Sequence, residues 1–73
     1  MDIIFDFIAS SMQDRRALVK HLLTAQISFI YDGDTERISV SGIDDTKADK
    51  IAQGARTWGA EKPIKVEADY LPF

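Results

Sequence analysis

The chain has 73 residues, no cysteine, one histidine and a formal net charge of −3 at pH 7. A chain of this length forms one small domain with a modest core, and we expect a single domain over residues 1–73. The absence of cysteine excludes disulfides and thiolate metal ligands, and the acidic balance disfavours nonspecific binding of nucleic acid by the molecule as a whole.

The apolar run near the start of the chain is typical of neither a secretion signal nor a membrane span. It is interrupted by Asp6 and preceded by Asp2, with no Lys or Arg before it. A signal peptide carries a basic flank, and a membrane-spanning helix needs about 20 apolar residues. We therefore expect a cytoplasmic protein that does not associate with membranes.

The first predicted elements are a strand and a helix. Phe5 and Phe7 alternate with Ile4, Asp6 and Ile8, so the two Phe face the core and the other three face away from it. Ser10 precedes Gln13 by three residues, the spacing of a helix capping box. The helix over residues 10–25 has an apolar stripe of Leu18, Val19, Leu22 and Leu23, and the polar residues Asp14, Arg15, Arg16 and Lys20 lie largely off it.

A hairpin is predicted next, over residues 26–43. Phe29 and Tyr31 alternate with Ile30, which places the aromatic side chains inward and Ile30 outward. The pair Asp32-Gly33 predicts a tight turn in which Gly33 supplies a positive φ. The second strand of the hairpin has Ile38 and Val40 inward, alternating with Arg37, Ser39 and Ser41.

A second helix and a last strand complete the chain. Asp44 or Asp45 is the predicted N-cap and Gly59 the predicted C-terminal stop, while Gly54 within the helix indicates a close approach to the sheet or to the first helix. The inward residues of this helix are Ala48, Ile51, Ala52, Ala55 and Trp58. The last strand has inward Ile64, Val66, Ala68 and Tyr70, and outward Lys65, Glu67 and Asp69.

The order strand, helix, strand, strand, helix, strand predicts the fold. Right-handed crossovers and two amphipathic helices that cover the same sheet face favour a ferredoxin-like α+β arrangement, a four-stranded antiparallel sheet with both helices on one side. Its first and third strands are central. Because this arrangement supports many unrelated functions, function has to be inferred from surface residues.

No catalytic or ligand-binding signature is present. The acidic stretch DGDTE lacks the further oxygen ligands that a calcium loop needs, and His21 has no nearby carboxylate and nucleophile with which to act as a base. We expect a non-enzymatic protein without a cofactor or a metal site.

The outward sheet face is the predicted interaction surface. Its apolar residues are predicted to bury themselves against a protein partner, either a second copy of the chain or a host or regulatory protein, and such a module would suit a phage or mobile element. These residues are Ile4, Ile8, Ile30, Leu71 and Phe73.

Two alternatives rest on other features. A small-molecule-sensing domain would bind its ligand between helix ends and strand edges, near the segments SGIDD and IASS. Nucleic acid is the less favoured partner: no aromatic residue faces outward on the central strands, although residues 11–25 and 46–58 each carry a net charge of +2 against −7 for the rest. A basic helix face, for nucleic acid or for an acidic protein partner, would consist of Arg15, Arg16, Lys20, Lys47, Lys50 and Arg56.

Overall fold

The computed structural model describes the backbone of residues 3–70 and the side chains of residues 3–68. The elements are β1 (Ile3–Ile8), α1 (Met12–Thr24), β2 (Ile30–Asp32), β3 (Arg37–Ser41), α2 (Asp45–Thr57) and β4 (Lys65–Tyr70). The strands form one antiparallel sheet in the order β2-β3-β1-β4, so β1 and β3 are central. The predicted ferredoxin-like fold is confirmed.

The core lies between the two helices and one face of the sheet. Phe5 pairs with Val40 and Phe7 with Ile38 across β1 and β3, and all four side chains are almost fully buried. Each buried Phe or Ile of this kind contributes about 1.5–3 kcal/mol through removal of apolar surface from water. The helices cover these strands with Ala17, Leu18, Leu22, Ala48, Ile51 and Ala55.

The start of α1 differs from its prediction by one residue. Ser11, not Ser10, is the N-cap, and its side chain accepts a hydrogen bond from the Asp14 amide at 3.2 Å. Gln13 takes no part in a capping box, since its Nε2 donates to the Gly59 carbonyl at 3.0 Å. The cap shifts because Ser11 places Asp14 at the third helical position, where a carboxylate is favoured by the helix dipole.

The apolar stripe of α1 was predicted incorrectly at two positions. Asp14 is 1% exposed, whereas Leu23 is 63% exposed. Asp14 tolerates burial because its Oδ1 accepts a hydrogen bond from the Glu61 amide at 2.8 Å, which ties the start of α1 to the segment before β4. Leu23 follows Leu22 by about 100° around the helix, which turns it away from the core.

Both helices end in the same hydrogen-bonded motif. After α1, the amides of Gln26 and Ile27 donate back to the carbonyls of Leu23 and Leu22 at 3.1 and 2.9 Å. After α2, the amides of Gly59 and Ala60 donate to Arg56 and Ala55 in the same pattern. These are Schellman motifs, which place one residue in the left-handed region. That residue is Gln26 (φ 59°) in α1 and the predicted Gly59 (φ 111°) in α2.

The hairpin turn does not use Gly33 as predicted. Asp32 pairs with Arg37, which leaves a loop of residues 33–36, and the positive φ of 57° belongs to Glu36. The Asp32 carboxylate accepts a hydrogen bond from the Asp34 amide at 2.9 Å and closes the first part of the turn. This side-chain hydrogen bond replaces the backbone conformation that Gly33 was predicted to supply.

On each edge strand of the sheet, one side chain that the alternation predicts to be buried is exposed to solvent. Tyr31 on β2 is 44% exposed. Ala68 on β4, which was predicted to point inward, is also exposed. Both strands lie at the border of the sheet, and the inward direction of Tyr70 lies outside the described side chains.

Candidate interaction surfaces

The sheet face that the helices leave uncovered carries the described part of the predicted interface. We call it the open face. Ile4 and Ile8 are half-buried, and Ile30 is 74% exposed. The remaining members with described side chains are Asp6, Asp32, Arg37, Ser39, Ser41, Lys65 and Glu67.

Two of the predicted interface residues come together on the open face. Ile4 and Ile30 line one shallow depression of about 150 Å³, together with Phe29 and three serines, Ser28, Ser39 and Ser41. Its position follows from the register, which places Ser41 beside Ile4 and Ser39 beside Ile30. The depression therefore joins the first strand to the edge strand β2.

A network of charged and polar side chains separates Ile8 from this depression. Asp6 accepts a hydrogen bond from the Ser39 hydroxyl at 2.7 Å and lies 3.4 Å from Arg37 Nη1. The same Arg37 nitrogen lies 3.2 Å from Glu67, which also pairs with Lys65 at 3.4 Å. The sequence places these residues on the outward face, but only the register shows that they pair with one another.

Leu71 and Phe73, the other two predicted interface residues, lie outside the described residues. The register pairs Ile3 with Tyr70 and Ile4 with Asp69. The end of β4 therefore lies beside the start of β1, as the antiparallel arrangement predicts. The backbone pairing confirms where β4 ends, and the roles of Leu71 and Phe73 in an interface stay predictions.

The six basic residues predicted as one face fall in three places. Arg15, Arg16 and Lys20 lie along α1. Lys47 and Lys50 line a depression of about 420 Å³ at the start of α2. Arg56 lies beside Pro63 and Ile64. The helical layer therefore offers no continuous basic track formed by all six.

The two segments named for a small-molecule site lie at opposite ends of the sheet. The segment IASS leaves β1 at Ile8, which pairs with Arg37, whereas SGIDD leaves β3 at Ser41, which pairs with Ile4. Four residues of strand span about 13 Å, too far for both segments to line one small pocket. A small-molecule site at either segment by itself stays a prediction.

Arg15 holds an aromatic residue in place beside α1. Its Nη1 donates to the Tyr31 hydroxyl at 2.6 Å, and its guanidinium carbon lies 5.6 Å from the centre of the Tyr31 ring. Its other terminal nitrogen lies 3.9 Å from Glu36. Arg15 is thus engaged within the molecule, and it fixes Tyr31 against the first helix.

The outer side of α1 has an apolar part that was not predicted from the sequence, which indicated only its basic residues. Met12 and Leu23 are 60% and 63% exposed, and Trp58, predicted to face inward from α2, is 40% exposed. Trp58 is the C-cap residue of α2 and directly precedes Gly59, which has a positive φ. The signal in the sequence was the spacing of residues 12, 16, 19 and 23, which repeats every three to four positions on one side of the helix.

Gly54 makes the close approach that its position predicted, and its neighbour is α1. The His21 imidazole lies directly over Gly54, and the imidazole and Trp58 ring centres are 6.4 Å apart. Within the described residues, no carboxylate lies within ion-pair distance of His21. His21 therefore serves as a packing residue between the helices.

Residues 3–68 contain no cluster of three or more His, Asp or Glu side chains arranged to hold a metal ion. Neither of the two helices in the described part of the chain has the length and apolar character needed to cross a membrane.

Comparison of the chain with protein-family models, with curated proteins and with solved structures gave no match. Fold and surface chemistry are therefore the basis for a functional proposal.

Proposed function

We propose that the domain is a non-enzymatic protein-interaction module that forms a homodimer through the open face. The observation that carries this proposal is the position of Ile30, which is 74% exposed and shares a depression with Ile4 on a sheet face that no helix covers. A small domain has little apolar material to leave in water. Burial of this patch against a second copy would remove its apolar surface from water, which favours association.

The distribution of charge favours a second copy as the partner. The open face carries both signs, with Asp6 and Glu67 beside Arg37 and Lys65. A two-fold interface brings the same patch of both subunits together, so a patch with both signs can complement itself. The outer side of α1 cannot do so, because its accessible charges are all positive.

The size of the molecule requires that the whole open face take part. A standard interface buries about 800 Å² on each partner, which is about one sixth of the 4976 Å² surface of the chain. The charged network must then be buried together with Ile4, Ile8 and Ile30. Each group of the network already has a partner, so burial of the network leaves none of its own charges unpaired, although its desolvation limits affinity.

Sedimentation equilibrium across the micromolar concentration range tests the homodimer. Wild-type protein is expected to dimerise, and Ile30→Asp is expected to be monomeric, because its carboxylate would be buried in the interface. Leu23→Asp is the matched control: it places the same charge at an equally exposed position on the opposite side of the molecule and should leave the dimer intact. Wild-type protein that is monomeric at every concentration would refute the homodimer.

A regulatory complex with another protein is the second form of the same proposal. Such a partner would present an apolar sheet face of its own and compete for Ile4 and Ile30. Purified protein distinguishes the two forms, because a homodimer assembles without any added component. The Ile30→Asp variant would weaken both kinds of complex, since both use the open face.

A further inference from the structure

The outer face of α1 combines apolar and basic side chains in a regular pattern. It consists of Met12, Arg16, Lys20 and Leu23, which are exposed, and of Val19, which is half-buried and also packs against the core. Residues 12, 16, 19 and 23 are separated by four, three and four positions. This is the spacing with which one helix packs lengthwise against another, because it keeps a single seam in contact.

Two grooves run beside the outer face of α1, and each contains an exposed aromatic ring. The groove toward β2 has a volume of about 420 Å³ and is lined by Val19 and Tyr31. The groove toward α2 has a volume of about 390 Å³ and is lined by Ala17 and Trp58. Both volumes lie in the range of small binding sites. Met12 borders both grooves, so apolar surface is continuous across the start of the helix.

The charge of this surface is of one sign. Neither groove is lined by an Asp or a Glu among the described residues. Arg16 and Lys20 border both grooves and make no ion pair within the part of the chain that the structure describes. Arg15 is held by Tyr31 and Glu36, and it keeps the aromatic wall of the first groove in position.

We propose that the outer face of α1 binds an acidic amphipathic helix of another protein. The apolar residues of that helix would pack on Met12, Val19 and Leu23, and its carboxylates would pair with Arg16 and Lys20. The spacing of the apolar residues selects a helix, and the unpaired cations select an acidic one. A second copy of this face is excluded as the occupant because it would bring like charges together.

This surface differs from the open face used for the proposed homodimer. The two lie on opposite sides of the sheet, since α1 packs on Phe5 and Phe7 while Ile4 and Ile8 point the other way. Binding at α1 therefore does not depend on the dimer. A dimer that captures one acidic helix on each subunit would be bivalent, which raises the avidity for a partner with two such segments.

A designed peptide tests the proposal. The probe is a peptide of three heptads with Leu at positions a and d, Glu at e and g, and Ala and Gln elsewhere. Its own Glu residues repel one another, which keeps it from pairing with itself. The control peptide has Lys at e and g. Trp58 is the only Trp of the protein and lies in one groove, so its fluorescence reports occupancy directly.

The expected result is saturable binding of the Glu peptide that weakens with salt, and at least tenfold weaker binding of the Lys peptide. Arg16→Glu and Leu23→Asp should each reduce affinity for the Glu peptide by tenfold or more, whereas Ile30→Asp should leave it unchanged. A circular dichroism spectrum of each variant confirms that it is folded. Equal binding of the two peptides, or binding unaffected by both α1 variants, would overturn the proposal.

A single-stranded oligonucleotide serves as the third probe. It carries the negative charge without the apolar seam. Oligonucleotide binding as tight as that of the Glu peptide, and equally sensitive to Arg16→Glu but unchanged by Leu23→Ser, which removes the apolar side chain without adding a charge, would show that charge alone determines binding at this surface. That outcome would overturn the proposal in favour of nucleic acid.

Discussion

His21 occupies the space that a side chain at position 54 would need. A Cβ placed on Gly54 would lie 2.6 Å from His21 Nε2 and 2.9 Å from Cε1, and the imidazole supplies its three nearest atoms. Non-bonded contacts of a Cβ essentially never come this close, so a methyl group at position 54 must displace the ring. Gly54 thus destabilises α2 by about 1 kcal/mol relative to alanine, but its missing side chain allows His21 of α1 to pack closely against it.

A double-mutant cycle measures the energetic coupling between His21 and position 54. In the His21→Ala background, Gly54→Ala is expected to stabilise the domain by about 1 kcal/mol, because the helix gains propensity and nothing is displaced. In the wild-type background the same substitution should bring no gain, since it pushes the imidazole out of its site. Urea unfolding of the four proteins gives the coupling energy. Equal effects of Gly54→Ala in both backgrounds would show that His21 does not require the glycine.

The buried carboxylate of Asp14 is expected to contribute to stability through one hydrogen bond. Asp14→Ala should lower the free energy of unfolding by about 1–3 kcal/mol, because the partly buried hydrogen bond from the Glu61 amide is lost. Asp14→Asn keeps an acceptor oxygen in place and should lose less. Arg16→Ala, at an exposed position of the same helix with no ion pair among the described residues, serves as a control with a change within about 0.5 kcal/mol. A loss for Asp14→Asn as large as for alanine would point to the charge instead.

The two Schellman motifs predict opposite effects of substitution. Gln26→Gly should stabilise the domain by about 1 kcal/mol, because glycine adopts the left-handed conformation without the steric cost of a side chain. Gly59→Ala should destabilise it by a similar or larger amount, and no atom lies close enough to position 59 for a clash to contribute. Thermal unfolding is sensitive enough, since 1 kcal/mol shifts the midpoint by about 4–8 °C in a domain of this size. A lower midpoint for Gln26→Gly would mean that the Gln26 side chain makes a stabilising interaction.

The hairpin turn should weaken in acid. The hydrogen bond from the Asp34 amide, followed by one from the Thr35 side chain, lowers the pKa of Asp32 below its ordinary value of 3.8. A group with a lowered folded-state pKa stabilises the folded protein above its unfolded pKa, and this stabilisation is lost as the pH falls through the folded value. Asp32→Asn removes the titration while keeping the acceptor. The stability difference between wild type and Asp32→Asn should therefore be constant near neutral pH and shrink below about pH 4. A difference that does not change with pH would contradict this assignment.

The order of strands and helices could be predicted from the sequence because each element has its own local periodicity of apolar residues. Phe5 and Phe7 alternate with Ile4, Asp6 and Ile8, and helical spacing marks both helices. These patterns determine which residues can share a face, and the order of elements then leaves few topologies. The open face was predicted with its members Ile4, Ile8 and Ile30 for the same reason.

What local patterns could not determine was decided by contacts between residues distant in the chain. Asp14 is buried because of an amide 47 positions away, and the Asp6–Arg37–Glu67 network exists because three strands meet in one register. Leu23 and Trp58 face solvent because helix position and chain direction at the helix end set their orientation. Apolar periodicity therefore established the architecture and one face of this protein. Tertiary packing alone decided which charges are paired and which, on the outer face of α1, are free of partners within the described residues.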